Sequence, residues 1–329
     1  MAGAAERGFD GGVIARLFTV AGPADVGEAR LLLLAALQHA ALVDPSLPHA
    51  QWYAQAVGRA RARPPTEGAP AALALAYLIE HEDQVADFLR HHRVQTNEIA
   101  RSTALLPGFL VAGGFGLPLR LRELGASAGL NLRFDRYRYH YLGGPKWGPS
   151  AGPLLEARAE GAIPSGLSPP TVEVDERCGV DLQPIDPTTP GGAALLHAFV
   201  WADEHDRHER LDEAITVSRA TPVRMDQGDL IAWAEQHAAP APGTTTVLYH
   251  SQVAYQLDDA EVTRLGNVVE RCLRAATDDA PFVALSFEAP RGEPLASPEV
   301  YVQVGDGSGP PRRWTLATSD FHGRWVRWW

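Results

Sequence analysis

A chain of 329 residues, 45% of them hydrophobic, has enough apolar material for a full-sized core, and a formal net charge of −11 leaves it without the basic surplus that general nucleic-acid binding needs. Only two cysteines occur, Cys178 and Cys272, far apart and outside any CxxC, so a reducing compartment and no zinc site are expected. The start, "MAGAAERGFDGG", lacks the pattern of a secretory signal. The longest apolar-rich run, "LLLLAALQHAALV", is broken by Gln38 and His39 and is too short to cross a bilayer. A soluble, cytoplasmic protein with small-molecule or protein partners and no membrane is the expectation.

Up to Leu119 the chain reads as helices. "ADVGEARLLLLAALQHAAL" and "AALALAYLIEHEDQVADFLRHHR" carry apolar residues at helical spacing, punctuated by Pro45, Pro64, Pro65 and Pro70. "TNEIARSTALLPG" adds a further helix, which Thr96 or Asn97 can cap and Pro107-Gly108 ends. Residues 1–118 are therefore expected to form a helical region of their own.

From Leu119 strands alternate with helices. "LRLREL" is the first strand and "GLNLRFDRYRYH" the helix after it. Residues 143–170 follow, of which 15 of 28 are Gly, Pro or Ser, a density expected of a surface excursion. The alternation resumes with strands at "VEVDERCGVDL", "TPVRMD", "TTTVLYHS" and "PFVALSFEA". Helices are expected between them at "AALLHAFVWADEHDRHERLDEAITVSRA", "DLIAWAEQHA" and "DAEVTRLGNVVERCLRAA". "EVYVQVGDG" and "RRWTLAT" close the chain as an antiparallel hairpin. Such a series predicts a doubly wound, mostly parallel α/β sheet over 119–329, interrupted by an insertion near 143–170.

In sheets of this kind ligands sit beyond the carboxyl ends of the strands, and the first strand ends in "ELGASAG". Gly125 and Gly129 let backbone pass close to a ligand, and the start of a following helix would favour an anionic group. A tight turn with glycines for packing alone is the competing reading. A dinucleotide fingerprint counted from Gly125 needs glycines where Ser127 and Leu130 stand, which disfavours NAD and FAD.

"ELGASAG" resembles the acidic-x-Gly-x-x-x-Gly motif of class I S-adenosylmethionine-dependent methyltransferases. "CGVDLQPID" is similar to the motif ending their second strand, "VRMDQGDLIAW" to the Gly-Asp after their third, and "TTTVLYHSQVAYQLDD" to their fourth strand and loop. The whole chain resembles more closely a bacterial family, domain of unknown function family 2332, through "QTNEIARS", "ELGASAGLNL", "GVDLQPID" and "DFHGRWVRWW". The methyltransferase resemblance implies a seven-stranded Rossmann-like sheet, S-adenosylmethionine as cofactor, and a helical region that shapes the substrate side. Gly125, Ser127 and Gly129 would then line the methionine part and Glu123 would face its ammonium. Asp181 would accept the ribose hydroxyls, with Asp175 and Asp186 as rivals, because the interval from Gly129 exceeds the usual ~20 residues. Asp229 would meet the adenine amino group, and His250, a candidate proton acceptor, and Ser251 would border the methyl. Singly, Asp181 reads equally as a turn former and Asp229 as a helix cap.

Asn97, Glu98 and Arg101 precede the first strand on one helix and are candidates for the substrate side, as is His322; a capped amphipathic helix explains the first three as well. Glu204, His205, His208 and Asp212 have metal-ligand spacing, but a solvated charged helix is the commoner origin of such a run. Arg324 and Arg327 interleave with Trp325, Trp328 and Trp329, a pattern suited to stacking bases or, given the acidic chain, to covering a sheet edge or the helical layer. No Walker or HExxH motif occurs. Two functions follow: a methyltransferase of unknown acceptor, or a non-catalytic nucleoside-binding or interaction protein on the same fold.

Overall fold

A computed structural model describes residues 12–20, 26–63, 69–161, 172–293 and 295–329. It separates into two compact units, residues 1–97 with 186–211, and residues 98–185 with 212–329. The division therefore falls after Asn97 rather than at Leu119.

The first unit contains α1 (Val13–Val20), α2 (Val26–Val43), the short α3 (Ala54–Val57), α4 (Ala69–Glu80) and α5 (Glu82–His91). Leu17, Leu32, Leu37, Leu78, Val85 and Leu89 form its core. The single helix expected over "AALALAYLIEHEDQVADFLRHHR" is two helices. His81, at φ −117° and ψ 30°, breaks the run between them, and Leu78 and Leu89 from either side reach one core.

The second unit opens with a 3₁₀ turn, Ile99–Arg101, leading into α6 (Ser102–Gly113). Pro107 lies inside α6 instead of ending it. Proline removes the N–H that the Thr103 carbonyl would have accepted. The Tyr141 hydroxyl donates to that carbonyl at 2.6 Å and replaces the lost bond. At Gly108 any Cβ would come within 2.4 Å of Leu285, so the glycine lets the helix lie directly on the sheet.

The strands are β1 (Leu119–Leu124), β2 (Arg138–Leu142), β3 (Lys146–Trp147), β4 (Leu154–Glu160), β5 (Val174–Asp181), β6 (Arg224–Gln227), β7 (Thr245–Ser251), β8 (Phe282–Glu288), β9 (Glu299–Gly305), β10 (Arg312–Ser319) and β11 (Trp325–Trp328). Among the described residues they form one 11-stranded sheet, ordered β3-β2-β4-β11-β10-β9-β8-β7-β1-β5-β6. The helices are α7 (Pro190–Ala198), α8 (His205–Ala220), α9 (Leu230–His237) and α10 (Asp259–Ala275). Of these, α7 and the first residues of α8 belong to the helical unit.

Strands β6, β5, β1, β7 and β8 are parallel, as the alternation predicts, and β8, β9, β10 and β11 continue as an antiparallel meander. Four expectations are corrected. The sheet has 11 strands, not seven. The stretch after β1 is a 3₁₀ turn, Asn131–Arg136, followed by β2 rather than a helix. Tyr139 and Tyr141 are buried while Arg138 and His140 are half-buried, a period of two that belongs to a strand. The supposed surface excursion contributes β3 and β4, the latter alternating exposed and buried side chains; residues 162–170 lie outside those described. The aromatic tail does not cover an edge either. It is β11, paired on one side with β10 and on the other with β4.

The two faces of the sheet differ. Leu124, Val180, Leu248 and Phe282 pack with Ile231 of α9 and Val268 of α10. On the side of α6, Phe109 stacks on Phe134 at 3.9 Å and meets the Tyr249 ring edge-on at 5.0 Å.

Candidate functional site

From β1 the chain moves outward to β5 and β6, then crosses to β7 on the other side of β1. In sheets of this order ligands sit at that reversal, beyond the carboxyl ends of the strands. Glu123 stands there, with Gly179 of β5 and Tyr249 of β7 as its Cα partners.

The Glu123 side chain is buried, 3% exposed, and neither its Oε2 nor the buried Tyr249 hydroxyl has a partner of good hydrogen-bond geometry, although the hydroxyl lies near enough to act on Glu123 as a donor. Burial drives the Glu123 carboxyl from 4.5 up to about 8. Tyr249, Arg133 and Arg101 pull it down, while Asp181 pushes it further up. Burial and the neighbouring Glu123 raise the Tyr249 hydroxyl well above its ordinary range. A buried polar atom without a partner is costly, and a water, an ion or a ligand can complete its bonding.

The turn after β1 is held by its own backbone. Gly125 and Gly129 have φ near +63°, and Ser127 has φ 53°. A Cβ on Gly125 would fall 2.5 Å from Val253, and one on Gly129 2.8 Å from Met225, so both glycines abut protein. The Ala126 amide donates to Val180 O at 3.0 Å, the Gly129 amide to Ala126 O at 2.7 Å, and the Ser127 amide to Asp181 Oδ2 at 2.9 Å. These three N–H groups are spent internally, and no helix follows the turn, so the anion cradle expected of it is absent. Arg133, a buried residue, fastens the turn by donating from Nη1 to Gly129 O at 2.8 Å and from Nε to Thr221 O at 2.8 Å.

Asp181 ends β5 and accepts one amide on each oxygen, Ser127 on Oδ2 and Gln183 on Oδ1, the latter at 2.9 Å. One lone-pair direction remains on each oxygen. Of its rivals, Asp175 lies at the opposite end of β5, and Asp186 belongs to the helical unit, where it accepts from Thr188. Asp229 is exposed and caps α9, its Oδ1 accepting from Ile231 and Ala232. Ser251 is buried at the end of β7.

His250 is turned the other way. By strand alternation it shares a face with Leu124 and Leu248, where it lines a cavity of about 50 Å³ with Leu265 and Val269 of α10. Its Nδ1 meets Glu288 Oε1 at 2.6 Å, and the same oxygen accepts the Val253 amide at 2.9 Å. His250 and Glu123 thus occupy opposite faces of the sheet.

Arg101 and the C-terminal turn come together beside the crevice. Arg101 Nε donates to Phe321 O at 3.0 Å, and the Thr103 hydroxyl donates to Gly323 O at 2.7 Å. A Cβ on Gly323 would strike Ala100 O at 2.1 Å. Ser102 Oγ bonds Asn131 Oδ1 at 2.8 Å, tying the 3₁₀ turn to the segment after the glycines, and buried Glu98 accepts the Ala100 amide. The turn that bears His322 therefore packs directly on the element bearing Arg101. Asn97 falls in the helical unit. Sequence reasoning missed Tyr249 and Arg133. Each is a polar side chain inside an apolar run, "VLYHS" and "GLNLRF", which was the available signal.

Among the described residues no cluster of metal-ligand type occurs and no helix is long and apolar enough to cross a membrane. In the helical unit His208 instead pairs with His197, Nδ1 to Nδ1 at 2.9 Å.

Comparison with curated proteins yields no match. Among solved structures the chain is similar to the DhpI–SAM–HEP complex, at 14% identity and a TM-score of 0.25, covering 73% of each chain. It is also similar to the sugar N-methyltransferase KedS8 from Streptoalloteichus sp ATCC 53650, at 12% identity and a TM-score of 0.25, covering 65% of this chain and 70% of that one. A family model described as "Uncharacterized protein conserved in bacteria (DUF2332)" matches residues 1–328, and the chain belongs to that family.

Proposed function

We propose that the crevice beside β1 binds S-adenosylmethionine and that the protein is a methyltransferase on a methyltransferase-like α/β fold. The observation that carries this reading is the buried Glu123 carboxyl, whose Oε2 has no hydrogen bond of good geometry and only the Tyr249 hydroxyl as a neighbouring donor. An ammonium group supplies the missing donors and the charge that would ionise Glu123. Arg101, whose charge acts on Glu123, is the cation at hand for the carboxylate of the same amino-acid moiety. Asp181 retains an open acceptor direction on each oxygen for ribose hydroxyls, and Asp229, engaged through Oδ1, is assigned to the adenine amino group.

When bound, the cofactor supplies an electrophilic methyl for in-line transfer. The chain's own residues bind, orient and exclude water, which is where such a reaction gains its rate. His250 faces the other side of the sheet, so the reading assigns no proton transfer to it.

Calorimetry with S-adenosylmethionine and S-adenosylhomocysteine tests the reading. At pH 7 binding should release a proton, because Glu123 is protonated when empty and ionised when paired. The heat should therefore depend on the buffer's ionisation enthalpy, and both binding and proton release should disappear in Glu123→Gln. Absence of binding by a folded sample rejects the proposal.

A non-catalytic role on the same fold is favoured by one observation. The turn amides of Ala126, Ser127 and Gly129 are already bonded, and Val253 sits against Gly125. Failure of a well-folded sample to bind either nucleoside would put that role ahead.

A further inference from the structure

The helical unit contains a second site of a different chemistry. Residues of α2, α4 and α5 and of the turn after α2 enclose a cavity of about 390 Å³, within the ~300–1,000 Å³ usual for small-molecule sites. Rings line it in two groups, one of them stacked and the other tilted. In one, Phe88 lies on His92 at 4.2 Å with 16° between planes and meets His39 at 5.4 Å. In the other, Tyr77 and His81 lie 4.4 Å apart. Tyr77–His81 and Phe88–His92 are each four residues apart, the spacing that brings side chains over one another on a helical turn.

The polar groups of this lining are largely unspent. The Tyr77 hydroxyl and the rings of His39 and His81 make no side-chain hydrogen bond to other described residues. Burial and the nearby His92 hold His39 below the ordinary imidazole range, so it offers a neutral acceptor. Charge is one-sided. Among the described residues no lysine or arginine lines the cavity, whereas Asp44 does, as does Asp87, whose carboxylate also meets Arg90 and His91. The Ser46 hydroxyl and amide bond Asp44 Oδ1 at 2.6 and 3.0 Å and hold that carboxyl below its usual range.

We infer that this cavity binds a flat, neutral or cationic heteroaromatic small molecule, stacked on the ring pairs and hydrogen-bonded to Tyr77 and the imidazoles. Stacking surfaces reward a planar π system, the open donors and acceptors reward ring nitrogens, and the carboxylates reject an anion. The site is independent of the Glu123 crevice and stands whether or not that crevice binds S-adenosylmethionine.

Three probes with one ring and different charge test it on the full chain: tryptamine, indole and indole-3-acetate, measured by ligand-detected NMR and calorimetry. Tryptamine and indole should bind saturably, with indole-3-acetate at least about tenfold weaker. Ala40→Phe, which fills the cavity, should abolish binding while circular dichroism shows an intact helical signal. Asp44→Asn should weaken tryptamine about fivefold and leave indole unchanged. Should Ala40→Phe fail to fold, that selective loss in Asp44→Asn decides the matter. No binding by the folded chain, equal binding of all three probes, or binding that survives both substitutions would overturn the inference.

Discussion

A carboxyl group that burial pushes up to about 8 inside a folded sheet costs that sheet stability as the pH rises towards 8. In the unfolded chain Glu123 gives up its proton near 4.5, whereas the folded chain keeps it to about 8. Its contribution is therefore fully present below 4.5 and lost progressively up to about 8, at about 1.4 kcal/mol per pH unit within that window. Glu123→Gln should remove this slope and be the more stable protein at pH 8, by urea titration across pH 5 to 8. Identical slopes in the two proteins would mean that Glu123 is not protonated. Asp181 has the opposite expectation. Asp181→Ala strips an acceptor from both the Ser127 and Gln183 amides and should cost about 1–3 kcal/mol in the same assay, besides weakening nucleoside binding. If stability is unchanged, Asp181 is not what anchors the turn.

Among the elements, α6 shows how a local rule is overridden from a distance. Pro107 would end a helix in isolation, but Tyr141 of β2 caps the carbonyl that it orphans. Tyr141→Phe should therefore cost about 1–3 kcal/mol, and the cost should shrink in a Pro107→Ala background, where an N–H is restored. Strict additivity in that double-mutant cycle would break the connection. The same scale explains the misread segment after β1. "GLNLRFDRYRYH" contains good helix formers, but its last residues alternate, and the partners that make them a strand, β4 and β3, lie within a run rich in glycine and proline. Period two over five residues is a weak signal until pairing adds its hydrogen bonds.

For the molecule as a whole, the last strand is an interior one. Residues Trp325–Trp328 join β10 to β4, so deleting residues 325–329 should leave β2, β3 and β4 detached from the sheet. The expected result is loss of a single cooperative unfolding transition and faster amide exchange at Tyr139 and Tyr141; an unchanged transition would show that the sheet tolerates the gap. Ligand binding acts at this scale as well. Saturation with S-adenosylmethionine at about 100 times Kd should add about 2.7 kcal/mol to the stability of the sheet unit and raise its melting temperature, an effect missing in Glu123→Gln.

The alternation of strands and helices, the parallel core of the sheet and the acids at the ends of β1 and β5 were all legible along the chain. They rest on periodicity and on residues adjacent in sequence, such as Glu123 beside Gly125. The four strands beyond β10, the opposite facing of Glu123 and His250, and the meeting of Arg101 with the "DFHG" turn were not. Each depends on pairing or packing between segments far apart in sequence, and the burial that raises Glu123 exists only once β5 and β7 close around it. A residue's type and neighbours in the chain set what it can do; its desolvation and its partners are properties of the folded sheet.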